Sequence, residues 1–213
     1  MGLAISVGAL AEVLQEDPEG AVALAASIEQ ANAALRLAGL PPHEEPARLP
    51  ELQSRAAIAS FPYSFLHHLR RAYAYARQDG QWRATPVPES EDPSDDAVLE
   101  AEADMLSSHL LCHSDCEGYY FPIVFDDIVF ADETTPILGG MLGSSYRLRE
   151  ELVVAAPALG IFLLNEQLSD DEAERINARI DIEGPLHKEL VAWLAIFEAC
   201  RLSIEHKTAI MFN

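Results

Sequence analysis

The densest run of reactive side chains is His109-Leu110-Leu111-Cys112-His113-Ser114-Asp115-Cys116-Glu117. His109 and His113 are four residues apart, and so are Cys112 and Cys116. On a continuous helix each pair would share a face. Two histidines at that spacing can chelate one zinc ion, with thiolate or carboxylate completing a tetrahedral set. His109, Cys112, His113 and Cys116 are therefore the candidate zinc ligands of a metal-dependent enzyme or a zinc-stabilised domain. No HExxH motif and no CxxC pair elsewhere frames such a site. The plainer reading is a helix end whose polar side chains cap backbone groups before Gly118.

The same run can be read as a nucleophile centre. Cys112 or Cys116 would need a lowered pKa, a positioned base and an orienting acid. His113 follows Cys112 directly, and neighbours on a helix point apart. His187 or His206 would have to approach from the last helix. The surrounding carboxylates raise a thiol's pKa, which opposes a thiolate. The balance leans away from an enzyme, and no catalytic residue or resident cofactor is assigned.

Other local patterns are weaker. Gly139-Gly140-Met141-Leu142-Gly143-Ser144-Ser145 lies before a helix, where backbone N–H groups could cradle phosphate. It lacks the lysine of a P-loop and reads as a turn; Ser144 and Ser145 have no GxSxG frame. Asp126, Asp127, Asp132 and Glu133 have the chemistry for a divalent cation, but no EF-hand spacing. They read as a solvated acidic rim.

Charge is the largest departure from ordinary composition. The chain has 35 acidic and 14 basic residues, for a net charge of −21. Such a field repels nucleic acid and anionic membrane, and attracts a basic surface. Ala84–Tyr146 contains no Lys or Arg but 14 Asp or Glu. Arg70, Arg71, Arg77 and Arg83 form a small basic strip just upstream. Strip and acidic stretch either face each other inside the fold or leave a binding surface free. The expected partner is a basic protein, neither nucleic acid nor membrane. An immunity protein or inhibitor that neutralises a cationic toxin or enzyme fits this charge. Asp115, Glu117, Asp126, Asp127, Asp132 and Glu133 are the expected carriers of the electronegative surface. A third reading is a structural subunit, with apolar residues near Trp193 and Phe197 on the last helix forming an oligomer surface.

These residues need elements to hold them. At 213 residues and 49% hydrophobic, the chain has the length and apolar content for one core. Three cysteines make no disulfide framework. Met1–Gln15 lacks a signal-peptide pattern, and no run reaches the ~20 apolar residues of a spanning helix, so a cytoplasmic protein is expected. Asp17-Pro18-Glu19 caps a helix over 18–38. Helices are expected over 9–15, 60–78, 97–111, 146–159, 170–180 and 185–205, with a short one over 50–59. Residues 81–96 read as a flexible acidic loop, for Pro86, Pro88 and Pro93 interrupt it. Strands are expected over 3–7, 119–125, 128–130 and 209–212. The expectation is one domain over 1–213, mainly α with a small antiparallel sheet, of the α+β class.

Overall fold

The computed structural model describes residues 2–213. Its apolar and aromatic strand segments gather into one six-stranded sheet, order β2-β1-β6-β3-β5-β4. β1 (Gly2–Val7) runs antiparallel to β2 (Ser60–Pro62) on one side and to β6 (Ile210–Phe212) on the other. β3 (Gly118–Phe121) pairs antiparallel with β6 and parallel with β5 (Met141–Ser144). β4 (Val129–Phe130) forms the far edge, antiparallel to β5.

Seven α-helices surround the sheet: α1 (Ala9–Glu16), α2 (Pro18–Leu37), α3 (Tyr63–Gln78), α4 (Ala97–Ala103), α5 (Ser145–Ala155), α6 (Asp170–Asp181) and α7 (His187–His206). Side chains cap several of their starts, Asp17 where the sequence places it. Asp17 accepts from Gly20 N at 3.1 Å, Asp96 from Val98 N at 2.9 Å, and Ser169 from Glu172 N at 3.2 Å. The single α+β domain is as expected from the sequence.

Period-two alternation places successive β3 residues on opposite faces. Tyr120 packs with Ile210 and Phe212 in a cluster formed by α3, α5, α6 and α7. Tyr119 and Phe121 join Ile28, Ala31 and Leu35 of α2 in a second cluster. Both faces of β3 are thus covered, and all four of its residues are buried. α7 is buried from Glu189 to Cys200, as expected of a helix apolar almost all round.

Several boundaries differ from expectation. The sheet is mixed, not purely antiparallel. β5 lies inside the stretch that reads as a turn, and Gly143 makes its place in the sheet possible. A Cβ there would sit 2.3 Å from Tyr120 Cδ1, so glycine is what lets β5 lie beside β3. Ser60–Pro62 is a strand instead of a helix start, and residues 50–59 form no helix. α4 ends at Ala103, eight residues short of Leu111. Trp193 and Phe197 are 0% and 1% exposed, so they cannot form the oligomer surface considered above. Between α3 and α4, Trp82 stacks on Tyr75 at 4.8 Å and Ala84 N–H donates to Ala158 O at 2.9 Å.

Candidate functional site

The early end of α4 changes the meaning of the His/Cys run. Residues 109–117 are not helical, so the two four-residue spacings do not share a helix face. The backbone there is organised by Glu151 of α5. Its Oε1 accepts from His109 N at 2.9 Å; its Oε2 accepts from Leu110 N at 2.7 Å and Ser108 Oγ at 3.1 Å. Burial pushes the Glu151 carboxyl up to about 7 despite these donors.

His109 is spent on structure. Its Nδ1 accepts from Ser144 N at 3.0 Å, and its Nε2 donates to Asp126 O at 3.1 Å. Those partners fix the neutral tautomer, and burial holds the pKa down. His113 stacks on Tyr120 at 4.2 Å, edge-on to Phe212 at 4.8 Å. Its Nδ1 donates to Ser114 O at 2.9 Å, while Nε2 is buried with no partner among the described residues. Burial pushes this ring down to about 4. Cys112 is half-buried, and burial raises its thiol. Cys116 is exposed, with Sγ 3.5 Å from Ser114 Oγ. Among the described residues no three His, Cys, Asp or Glu side chains are grouped to hold a metal ion.

Three of the four arginines of the basic strip pair with the acidic stretch. Arg70 of α3 is buried and donates to Leu110 O at 2.9 Å, to His113 O at 2.5 Å, and to Asp115. Asp115 also meets His67 Nε2 at 3.2 Å. Burial pushes the Asp115 carboxyl up, but the His67 hydrogen bond and the Arg70 charge outweigh it and hold it at about 2. Arg71 Nε reaches Asp96 Oδ2 at 2.7 Å, with its guanidinium 4.8 Å from the Tyr75 ring centre. Arg77 pairs with Glu102 at 3.3 Å. Arg83 donates only to backbone carbonyls, of Trp82 at 2.8 Å and Gly80 at 3.5 Å. Beyond the acidic stretch, Arg147 holds Asp126 and Glu150.

Subtraction leaves a candidate surface. Four of the 14 acidic residues in 84–146 are ion-paired: Asp96, Glu102, Asp115 and Asp126. The other ten are exposed and have no ion-pair partner among the described residues: Glu89, Glu91, Asp92, Asp95, Glu100, Asp104, Glu117, Asp127, Asp132 and Glu133. Nine of them fall into two groups. One lies along 89–104, beside a concavity of about 320 Å³ lined by Glu91, Asp92, Asp95 and Asp96. The other lies along 126–133, beside a groove of about 540 Å³ that also touches the end of α2.

Turn chemistry fixes some of these charges. Asp132 Oδ1 accepts from the hydroxyls and backbone N–H groups of Thr134 and Thr135, at 2.7 to 2.8 Å. The threonine hydroxyls, then the backbone bonds, hold its carboxyl well below the usual carboxylate range. Asp92 Oδ1 likewise accepts from Ser94 N and Ser94 Oγ, which lower its pKa. These carboxylates stay ionised and held in place.

Of the six carriers expected from sequence, Glu117, Asp127, Asp132 and Glu133 are exposed and unpaired. Asp115 and Asp126 are held by Arg70 and Arg147. The 89–104 group was absent from that set. Its signal was the same lack of Lys and Arg that singled out the whole stretch.

A family model described as "Putative DNA-mimic protein" matches residues 1–212. No curated protein and no solved structure matches.

Proposed function

We propose a mode of action from one premise: the chain belongs to this DNA-mimic family, and DNA mimics are acidic proteins that bind DNA-binding proteins and inhibit them. Duplex DNA carries one negative charge per ~1.7 Å of axis, and proteins that bind it present Lys and Arg to that array. In our reading, the exposed carboxylates of 84–146 occupy such a basic surface in place of phosphates. A DNA-cleaving toxin is one class of target, and the chain would then act as its immunity protein.

The observation that carries this reading is the set of ten exposed, unpaired carboxylates in a stretch without Lys or Arg. Three of the four upstream arginines are meanwhile tied into ion pairs. Uncompensated like charge costs folding energy. A basic partner offsets that cost and is steered in quickly by the same field. Glu117, Asp127, Asp132 and Glu133 make the contacts on one side, and Glu91, Asp95 and Glu100 on the other. Asp115 and Asp126 hold the backbone that displays them.

The test uses the basic protein that co-purifies with the chain at low salt. Association is timed across a salt series for the wild type and for a triple variant, Asp127→Lys, Asp132→Lys and Glu133→Lys. The reading expects the variant to associate about tenfold or more slowly, with a flatter salt dependence. Equal rates and equal salt slopes would remove it.

A further inference from the structure

The groove beside 126–133 differs from the rest of the acidic surface in having apolar walls. Leu37 and Leu40, at and beyond the end of α2, line it together with Phe130 of the edge strand β4. Leu37 is 72% exposed and Phe130 46%. Asp126, Asp127 and Asp132 line the same groove, and no Lys or Arg does. Duplex DNA has no counterpart to this mixture, and charge alone does not call for it.

The chain carries the matching arrangement once already, filled from within. Arg71 lies 4.8 Å from the Tyr75 ring centre and 5.9 Å from that of Trp82, while its Nε bonds Asp96. A guanidinium is planar and weakly hydrated; its face stacks on an aromatic ring as its edge bonds a carboxylate. An ammonium does the second but is a compact, strongly hydrated charge. Phe130, Asp127 and Asp132 bring a ring and carboxylates into one groove lining, as Tyr75 and Asp96 do around Arg71, and no Lys or Arg of the chain lines it.

We propose that this groove is an arginine-selective subsite, which takes an arginine side chain of the bound basic protein between Phe130, Leu37 and the carboxylates of Asp127 and Asp132. This rests on the DNA-mimic reading and deepens it. The acidic stretch as a whole supplies long-range attraction that salt screens, whereas the groove supplies short-range contacts that salt weakens less.

The probes are two helical peptides of equal length and charge, one with arginine as its only basic residue and one with lysine. Binding of each to the full chain is measured by titration, with backbone amide NMR shifts to locate it. The proposal expects the arginine peptide to bind about fivefold more tightly. It expects the largest shifts at Leu37 and at 127–132. The Leu37→Ser, Phe130→Ser variant should lose the preference while still binding both peptides; Phe130 is about half-exposed, so the variant's amide spectrum is compared with wild type to show that the fold is kept. If both peptides bind wild type equally, or the preference survives in the variant, the groove proposal fails and the DNA-mimic reading stands. If neither peptide binds at low salt, both fail.

Discussion

At the residue scale, the two histidines of the 109–117 run are tied into the structure while Cys116 stays exposed. His109 has a partner on each ring nitrogen, and His113 is packed neutral against Tyr120. Neither state was readable from spacing, because both depend on Ser144, Asp126 and Tyr120, distant in sequence. Their burial has a consequence for pH. The unfolded chain binds a proton at His113 near pH 6.5, but the folded chain only near 4. Between those values the unfolded state binds more protons, so this group makes the fold lose stability as pH falls. Glu151, raised from an ordinary value near 4.5 to about 7, does the opposite: it costs stability as pH rises through that window. The two offset each other between about pH 4.5 and 6.5, and His109, also held down by burial, adds to the His113 side. Urea titrations should therefore find a modest loss of stability on acidification in the wild type. Glu151→Gln should lose stability more steeply on acidification, by up to about 3 kcal/mol over the window. An unchanged slope would contradict these assignments.

At the scale of elements, caps and periodicity made most helices legible, and tertiary contacts hid the rest. Asp17 starts a helix where its type predicts one, and Asp96 and Ser169 cap two more in the same way. The end of α4 could not be read, because what replaces helical bonding at His109 and Leu110 is the Glu151 carboxylate, some forty residues later. β5 was hidden for a similar reason: Met-Leu-Gly-Ser is a strand only where Tyr120 packs over Gly143. Gly143→Ala should force ring or backbone movement and destabilise the protein by about 1–3 kcal/mol in denaturant unfolding. An unaffected midpoint would mean the strands do not approach so closely. Arg70 ties α3 to the 110–115 segment through two carbonyls and Asp115. Arg70→Met leaves two carbonyls without their donor and the half-exposed Asp115 carboxylate with His67 alone, at an expected cost of about 2 kcal/mol. A loss below about 1 kcal/mol would show that water or another donor replaces the guanidinium.

At the scale of the whole molecule, the charge map was the most legible feature, because it needs only counting. The absence of Lys and Arg from 84–146 pointed to an acidic surface, and three of the four upstream arginines pair with acids of that stretch while ten other carboxylates stay exposed. What counting could not divide was paired from unpaired acid. Asp115 and Asp126 look like Asp127 and Asp132 in sequence, yet arginines at positions 70 and 147 hold the first two. Ten free carboxylates in one stretch repel each other, and screening relieves this. The thermal midpoint should rise with added sodium chloride between low and moderate ionic strength, and a flat or falling midpoint would argue that the charges are balanced.

The central claim is that these carboxylates compete with DNA for one surface. Native mass spectrometry of the protein drawn from its own host at low salt, before and after adding duplex DNA, tests it most directly. The account predicts a complex with a basic protein, and transfer of that protein to the DNA as free acidic chain appears. A basic partner that holds the chain and the duplex together, or the absence of any basic partner, would contradict it.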